Sequence, residues 1–404
     1  MRSSTLLALS SSLIAAEAGY IATPTSSSSL ASYTLKAENI TAVFTEYGAR
    51  LTHLLVPDRN GDVQDVVAGY DDVDQYIKDT ATNHTYFGPV VGRYANRIKN
   101  GTFTIDGVTS HIVENEHNGE DTLHGGSVAY DARNWTVTKM TDTSITFTLL
   151  DDAEEGFPGD VITHATYAVE STTEGSYWGV AHPRMTLKTV SIALNDPTPI
   201  MLANHIYWNL NAFKDQTILN DTTLYMPYAA RYIEIDNIEV PTGGIATVAS
   251  KSALDFTKPK LVGKDLADTV NNCGFGCTGY DNAFILDRPF GTGESAANFP
   301  VLSTWSSTTG IRLDVGTNQR GLQIYTCNGQ NGTIPVKPSQ IARNKNSPNG
   351  GTKFVNQYDC MVIETQGWID AVNYPQWGQT TDYWLYDTTT LPAVMYATYD
   401  FSTF

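Results

Sequence analysis

The chain has 404 residues, of which 41% are hydrophobic and 17% are charged, a composition that predicts a folded protein and excludes disorder. Its formal net charge of −18 argues against nucleic acid and anionic membrane surfaces as partners, because both attract clustered Lys and Arg. We therefore expect a soluble protein whose partner is small or uncharged.

The N-terminal segment has the features of a secretory signal peptide. Arg2 precedes a short apolar run that ends at the small-x-small triplet Ala16 to Ala18. A membrane anchor would need roughly 20 apolar residues, and this run is shorter and interrupted by serines. We expect a signal peptide at residues 1–18 and a secreted, extracellular protein. The Ser-rich residues 19–32 predict a flexible lead-in with no core of its own.

From about residue 33 onward the chain has the pattern of an antiparallel β protein. Short alternating or β-branched runs, such as "THATYAVE" and "RMTLKTVSIALN", are separated by Gly, Asn, Asp and Pro. One short helix is predicted at Asp71 to Thr80, and no fixed repeat or Pro/Ser-rich linker divides the region. We predict an all-β fold, with residues 33–404 forming a single large antiparallel β-sandwich domain.

Two features agree with secretion. Four cysteines allow three pairings, and the close spacing of Cys273 and Cys277 favours a disulfide between them, leaving Cys327 with Cys360. Zinc is the alternative, but no paired histidine or second close cysteine pair completes a four-ligand set. Asn-x-Ser/Thr glycosylation acceptors occur at Asn39, Asn83, Asn100, Asn134, Asn220 and Asn331.

The segment "GPVVGRYANRIKNGTF" places Arg93, Asn96 and Arg97 between Gly92 and Gly101. A guanidinium offers several donors and an Asn amide both donors and an acceptor, which suits neighbouring hydroxyls of a sugar. A surface loop with solvated arginines is the alternative interpretation.

Two segments contain histidines in unusual surroundings. In "NEHNGEDTLHGG", His124 precedes two glycines whose backbone can bend or approach a partner closely, whereas His117 has the pattern of a structural or surface residue. In "MLANHIYWNL", His205 lies among apolar and aromatic residues, beside Tyr207 and Trp208. Such an imidazole would suit a general acid in a carbohydrate cleft, or a structural histidine in the core.

Polar residues also interrupt three apolar strands near the C-terminus. Asp281 leads into the strand of "GCTGYDNAFIL", Gln323 lies within "GLQIYTCNG", and Glu364 follows the apolar run Met361 to Ile363. Asp281 is equally explained as a turn residue that bonds its own backbone. A core strand has no need of a carboxylate, so Glu364 is a candidate functional residue.

Six of these segments, in this order, resemble the aldose 1-epimerases, or galactose mutarotases: "GRYANRI", "LHGG", "NHIYWNL", "YDNAF", "LQIYTCN" and "ETQGWIDAVNYP". The resemblance implies a β-sandwich of the galactose mutarotase-like type that interconverts the α and β anomers of free hexoses without cofactor or metal. It places Glu364 at the general base and His205 at the general acid. It places the sugar-binding positions of the family at Asn96, Arg97, His124, Asp281 and Gln323.

The chain departs from the family pattern at a few positions. Ile206 and Trp208 stand where Thr or Ser and Phe are usual, Asn282 where His is common, and Ile369 where Pro is frequent. None is a position of assigned chemistry, so the departures bear on substrate preference more than on reaction type.

The reaction needs a base for the C1 hydroxyl proton and an acid for the ring oxygen, with the roles reversed on ring closure. Ordinary pKa values of about 4.3 for Glu and about 6.5 for His predict a bell-shaped pH profile, with limits moved by whatever the site does to each group. Three other functions are alternatives: a hexose 6-phosphate mutarotase, a non-catalytic sugar-binding protein and a glycoside hydrolase. A hexose 6-phosphate mutarotase would need additional Lys or Arg to bind the phosphate charge. The preferred aldose stays open, as does the choice between monomer and homodimer.

Overall fold

The computed structural model of the chain describes residues 29–174, 179–289, 297–347, 350–379 and 385–404. The predicted signal peptide and most of the lead-in lie outside these ranges. The last part of the lead-in is packed, because Leu30 is buried and the backbone N–H groups of Ser29 and Ala31 donate to the carboxylates of Asp74 and Glu46. Ordered packing therefore extends to the N-terminal side of Tyr33.

Antiparallel strands account for most of the regular structure in these residues, which confirms the all-β prediction. The strands are β1 (Tyr33–Ala37), β2 (Ile40–Thr45), β3 (Arg50–Pro57), β4 (Val63–Asp65), β5 (Val90–Val91), β6 (Arg97–Lys99), β7 (Thr102–Ile105), β8 (Val108–His111), β9 (Asp121–Leu123), β10 (Thr136–Met140), β11 (Ser144–Asp152), β12 (Asp160–Thr172), β13 (His182–Ala193), β14 (Thr198–Pro199), β15 (Ala203–Asn204), β16 (Tyr207–Trp208), β17 (Thr222–Tyr225), β18 (Arg231–Ile235), β19 (Pro241–Thr247), β20 (Lys260–Leu261), β21 (Asp281–Ile285), β22 (Pro300–Ser306), β23 (Ile311–Thr317), β24 (Gly321–Tyr325), β25 (Asn331–Pro335), β26 (Phe354–Asn356), β27 (Met361–Gln366), β28 (Leu385–Tyr386) and β29 (Ala393–Thr403). The α-helices are α1 (Gln75–Thr80) and α2 (Pro338–Arg343).

Three sheets build the sandwich. Their strand orders are β10-β11-β12-β13-β29-β23-β22-β17-β20 for the nine-stranded sheet, β16-β27-β24-β21-β18-β19 for the six-stranded sheet, and β1-β2-β3-β4 for the four-stranded sheet. Phe44 of β2 lies against Tyr167 of β12, with ring centroids 4.5 Å apart, and Trp208 of β16 lies against Tyr399 of β29 at 5.3 Å. The two smaller sheets therefore pack on the nine-stranded sheet, and the main hydrophobic core lies between them.

The side chains of β27 alternate between two environments. Met361 and Ile363 pack in the main core, together with Leu322 of the neighbouring strand β24. Because successive side chains of a strand point to opposite faces, Val362 and Glu364 point away from the nine-stranded sheet. A carboxylate within this strand is therefore compatible with a well-packed core.

The predicted helix at Asp71 to Thr80 is confirmed in place but not in length, because α1 begins only at Gln75. The carboxylate of Asp71 bonds His53 and Ser339, and that of Asp74 bonds Ser29, so tertiary contacts hold these residues in turns. No helix among the described residues is both long and apolar enough to cross a membrane.

The six predicted glycosylation acceptors are all accessible. Exposed side chains are found at each of Asn39, Asn83, Asn100, Asn134, Asn220 and Asn331. Their positions in turns and at strand ends leave room for a glycan, and their occupancy stays a prediction.

Both predicted disulfides are present. Cys273 is bonded to Cys277 and Cys327 to Cys360, across sequence separations of 4 and 33 residues. The second bond joins Cys327, two residues beyond the end of β24, to Cys360, directly before β27, so it ties together the two strands that carry Gln323 and Glu364.

Loss of the Cys327–Cys360 bond should destabilise the fold more than loss of the Cys273–Cys277 bond, because it closes the longer loop. Loop-closure entropy predicts decreases of about 4 and about 2 kcal/mol in the free energy of unfolding for the two Cys→Ser double variants. Urea denaturation of both variants beside wild type measures the difference. Equal losses, or a larger loss at Cys273–Cys277, would contradict the prediction.

Candidate active site

A cavity of about 810 Å³ opens over the face of the six-stranded sheet that points away from the core. Most of the predicted site residues line it: Asn96, Arg97, His124, His205, Asp281 and Glu364. Gln323 is buried beside the cavity and donates from Nε2 to Asp281 Oδ1 over 2.5 Å. The structure therefore brings together residues that are far apart in the sequence. A second cavity, of about 450 Å³, contains none of them.

Strand register places the three polar residues of β21, β24 and β27 side by side. Gln323 is paired directly with Glu364, and Ala283 is paired with Gln323 on its other side. Asp281 lies two residues before Ala283 and so has the same orientation. Glu364 Oε2 and Gln323 Oε1 are buried and accept no hydrogen bond from the described residues, which leaves them available to a polar ligand.

His205 lies in the short connection between β15 and β16. Its backbone N–H donates to Pro89 O, and its carbonyl accepts from the N–H of Gly88, so the main chain around it is fixed. Its side chain is buried, and His205 Nε2 lies 3.6 Å from Glu364 Oε1. The imidazole and the carboxylate therefore face one another at the floor of the cavity.

The aromatic neighbours of His205 differ from the expectation. Tyr207 lines the cavity, with its ring centroid 5.2 Å from that of His205. Trp208 points the other way, into the main core against Tyr399 and Phe401. Of the two aromatic residues that follow His205, only Tyr207 therefore lies at the cavity, because successive residues of β16 point to opposite faces of the sheet.

Asn96 and His124 form one hydrogen-bonded unit. Both have left-handed backbone conformations, with φ values of 60° and 53°. The Asn96 N–H donates to His124 Nδ1 over 3.1 Å, and the His124 N–H donates to Asn96 O over 3.0 Å. A Cβ on Gly125 would lie 2.4 Å from Gly92 O, so only glycine allows this close approach. The first glycine after His124 therefore serves backbone packing.

Arg97 is surrounded by carboxylates that the sequence did not point to. Its Nε donates to Glu116 Oε2 over 2.6 Å, and its terminal nitrogen pairs with Glu239, which lies in the turn between β18 and β19. Both carboxylates line the cavity. Glu116 lies in the segment that contains His117 and His124, but nothing in the local pattern links Glu239 to Arg97.

Four other residues noted in the sequence lie outside the cavity lining. Arg93 is buried and donates to Asp151 Oδ2 over 2.7 Å, and His117 pairs with Asp121 behind Arg97. Asn282 donates to Asn272 O over 2.9 Å. Asn282 and Trp208, two of the departures from the family pattern, therefore do not line the cavity.

Burial shifts the pKa values of the two residues at the cavity floor in opposite directions. Desolvation, together with the nearby carboxylate of Asp281, raises the pKa of Glu364 well above its usual value. Desolvation lowers the pKa of His205 to about 3 and that of His124 well below the usual range. The neutral forms of all three groups are therefore favoured in the free cavity.

His124, His205 and Glu364 are close enough to hold a metal ion, with one ligand atom of each lying within 4.8 Å of the others. The hydrogen bond from Asn96 decides against this role for His124. Because His124 Nδ1 accepts the Asn96 N–H, the proton of the neutral ring is on Nε2. His124 therefore offers a donor to a ligand oxygen instead of a lone pair to a metal.

The sequence model of the aldose 1-epimerase family matches residues 31–382. The chain belongs to the aldose 1-epimerase family. The probable aldose 1-epimerase of Arthroderma benhamiae is 53% identical over 395 residues, covering 95% of this chain and 88% of that protein. The galactose mutarotase of Homo sapiens is 31% identical over 354 residues, covering 87% of this chain and 90% of that protein. The family assignment makes the protein an isomerase of aldoses.

Solved structures confirm the fold. The crystal structure of an aldose epimerase homologue from C. elegans has a TM-score of 0.73 at 24% identity and covers 93% of this chain and 99% of that chain. The crystal structure of the galactose 1-epimerase of Lactobacillus acidophilus has a TM-score of 0.68 at 22% identity and covers 93% of this chain and 95% of that chain. This epimerase therefore has the galactose mutarotase-like β-sandwich that its sequence predicted.

In the free epimerase, neither His124 nor His205 should titrate between about pH 5 and about pH 8, the range in which histidines ordinarily change charge. His182 is an internal control, because its hydrogen bond to Asp400 raises its pKa above the usual value of about 6.5. Histidine-selective NMR, assigned with His→Asn variants, measures the three titrations. A midpoint near 6.5 for His205 would contradict the effect of burial.

Proposed function

We propose that the protein interconverts the α and β anomers of free hexoses of the glucose and galactose class, with Glu364 as the base and His205 as the acid. The observation that carries this proposal is the facing pair of Glu364 Oε1 and His205 Nε2, 3.6 Å apart and buried at the cavity floor. The hydrogen-bonding groups that would hold the sugar surround this pair: Asn96, Arg97, His124, Asp281 and, from beneath, Gln323.

In the proposed reaction, the Glu364 carboxylate removes the proton of the C1 hydroxyl while His205 gives a proton to the ring oxygen. The bond between C1 and the ring oxygen breaks, and C1 becomes the carbonyl carbon of the open-chain aldehyde. After rotation about the bond between C1 and C2, His205 removes the proton of the C5 hydroxyl and Glu364 returns a proton to the carbonyl oxygen. The ring closes on the other carbonyl face, and both residues regain their starting protonation states.

The shifted pKa values are compatible with these roles because Glu364 and His205 act as a pair. In the free cavity the favoured form is protonated Glu364 beside neutral His205. Transfer of that proton to His205 gives the carboxylate and imidazolium that the reaction needs, with no net gain or loss of a proton. Sugar hydroxyls that enter the cavity supply hydrogen bonds to both charged groups and so favour the transfer.

The charges of the cavity support a neutral sugar over a sugar phosphate. Arg97 is the only Lys or Arg in the cavity lining of the described structure, and its guanidinium already pairs with Glu116 and Glu239. Asp281 and Glu364 add two more acidic side chains. A phosphate would meet these carboxylates with no free cation to bind it, so a hexose 6-phosphate is disfavoured.

We also propose that the mature protein is secreted and glycosylated. The support is the predicted signal peptide, the two disulfides and the exposure of all six glycosylation acceptors. Glycosidase treatment of the protein secreted from its native source, followed by mass spectrometry and N-terminal sequencing, tests both parts of this proposal.

Glu364→Gln and His205→Asn should each lower kcat/KM at least about a hundredfold, because each variant replaces a proton-transfer group with an amide that cannot transfer a proton. Polarimetry on freshly dissolved α-D-glucose and α-D-galactose measures the approach to anomeric equilibrium. Glu38→Gln and His111→Asn are matched controls, since both residues are exposed and neither lines the cavity. If the wild-type protein binds sugar but does not speed the approach to anomeric equilibrium above the rate in buffer, it is a non-catalytic sugar-binding protein.

The pH profile of kcat/KM should be broader than the ordinary pKa values of Glu and His allow, because the site moves both limits outward. The pair gains a second proton only as pH falls towards about 3, and it loses its last proton only above the raised pKa of Glu364. kcat/KM should therefore stay level between about 4.3 and about 6.5, the ordinary Glu and His values. Initial rates, corrected for the uncatalysed reaction in buffer, test this prediction. A change in kcat/KM centred on about pH 4.3 or about pH 6.5 would refute it.

A further inference from the structure

Tyr86 lies in the wall of the cavity, beside both imidazoles of the floor. Its ring centroid is 4.7 Å from that of His124, at an interplanar angle of 64°, and 5.6 Å from that of His205. Tyr207 contacts His205 as well. Of the tyrosine, phenylalanine and tryptophan rings in the described ranges, only that of Tyr86 contacts both histidines.

The ring of Tyr86 is also stacked on that of His84. Their centroids are 4.4 Å apart, and the angle between the ring planes is 26°. His84 Nε2 lies 2.8 Å from Oδ2 of Asp131, whose side chain is buried. Because a hydrogen bond to a buried group fixes the His84 ring, the stacked contact restricts the positions that the Tyr86 ring can occupy.

A buried arginine joins the two parts of the chain that make this contact. The guanidinium of Arg50 donates from Nη1 to Phe87 O over 2.7 Å and from Nη2 to Asp131 O over 2.9 Å. Arg50 thereby connects the residue after Tyr86 with the residue that holds the His84 ring.

The end of helix α1 supports the same segment from its N-terminal side. The His84 N–H donates to Asp79 O over 2.7 Å, and the Thr85 N–H donates to Asp79 Oδ2 over 2.9 Å. Asp79 belongs to α1 and is buried. The two residues that precede Tyr86 are therefore fixed to the helix.

Hydrogen bonds also join this segment directly to His205. The Gly88 N–H donates to His205 O, and the His205 N–H donates to Pro89 O, each over 2.9 Å. Burial lowers the pKa of the His205 ring to about 3, and the carbonyl of Tyr86 acts in the opposite direction. The main chains of Tyr86 and His205 therefore keep a fixed relative position.

We propose that Tyr86 is a positioning residue for the acid–base reaction: its ring holds the imidazoles of His205 and His124 in place and keeps water from them, while His84 and Asp131 hold the ring. The inference rests on the proposed function and adds a residue that acts through the histidines without transferring a proton itself. An imidazole held in place needs no reorientation before it gives its proton to the ring oxygen of the sugar. Water beside His205 would compete for that proton.

Tyr86→Leu removes the ring and should lower kcat for α-D-glucose and α-D-galactose about tenfold, with KM changed less than about threefold. The reason is that the histidines lose their fixed positions while the sugar-binding side chains remain. Tyr86→Phe should restore at least about half of the wild-type kcat, since the stacked and tilted contacts are made by the ring. Polarimetry measures both variants.

Tyr33→Leu is the matched control. Tyr33 is partly buried, packs on Phe147 with centroids 5.9 Å apart and does not line the cavity. An equal loss of kcat in Tyr33→Leu would assign the effect to general destabilisation and overturn the proposal. A rise in KM with unchanged kcat in Tyr86→Leu would make Tyr86 a sugar-contacting residue and would also overturn it.

Histidine-selective NMR of the free protein measures the exclusion of water without reference to activity. Since burial lowers the pKa of His205 to about 3, water that enters in Tyr86→Leu should raise this pKa towards the ordinary value of about 6.5. Tyr86→Phe and Tyr33→Leu should leave it low. The substitutions leave in place the other titratable or charged groups near the His205 ring, which are His124, Glu364, Tyr207 and Arg50.

The raised pKa should also appear in the pH profile of Tyr86→Leu. As pH falls through the raised pKa, His205 gains a proton from solvent beside protonated Glu364, so the pair loses its base and kcat/KM falls. His84→Asn removes the stacked ring, and Asn tolerates the left-handed backbone at this position, where φ is 48°. It should shift the pKa of His205 in the same direction by a smaller amount.

The two measurements separate this inference from the proposed function. If wild type converts no sugar, the proposed function fails, and a raised His205 pKa in Tyr86→Leu would still support the role of Tyr86 in covering the imidazoles. An unchanged His205 pKa in Tyr86→Leu would overturn that role at any level of activity. If wild type is active, a kcat of Tyr86→Leu within about twofold of the wild-type value would overturn it as well.

Discussion

The alternation of side chains along β27 is the constraint on which the site depends. Met361 and Ile363 are needed in the core between the sheets, and the residue after Ile363 must then point to the opposite face. Pairing with β24 and β21 repeats this arrangement, so Gln323 and Asp281 come to lie beside Glu364. The packing of one face of the sheet thereby fixes the positions of the polar groups on the other.

The same burial sets the chemistry of these groups. Glu364 and His205 are buried away from water, so each favours its neutral form, and Glu364 Oε1 lies only 3.6 Å from His205 Nε2. Arg97 avoids an uncompensated charge in this setting by pairing with Glu116 and Glu239. The raised pKa of Glu239, about 8 as a result of burial, shows how far desolvation extends from the floor.

The floor of the cavity and the turns at its mouth, residues 273–278, 328–329 and 357–358, which we call the rim, owe their rigidity to different sources. At the floor, strand pairing and reciprocal hydrogen bonds such as those of Asn96 with His124 hold the side chains. At the rim the chain runs in turns, where no strand ladder is available, and the two disulfides and side-chain hydrogen bonds take over that role. An enzyme with these two kinds of support has a fixed cavity from its base to its mouth.

The sequence by itself determined the all-β class and pointed to the residues of the floor, whereas the spacing of the cysteines only favoured the disulfide pairing that the structure shows. Alternating patterns report which face of a strand is buried, and ordered motifs such as "LHGG" and "ETQGWIDAVNYP" carry the family resemblance. Only the tertiary structure decided that Trp208 faces the core, that Glu239 pairs with Arg97 and that Phe275 stands at the cavity mouth. These facts depend on which distant segments meet, and local patterns carry no information about such contacts. The charge state of the Glu364 and His205 pair was likewise beyond the sequence, because it follows from burial that exists only once the sheets have packed.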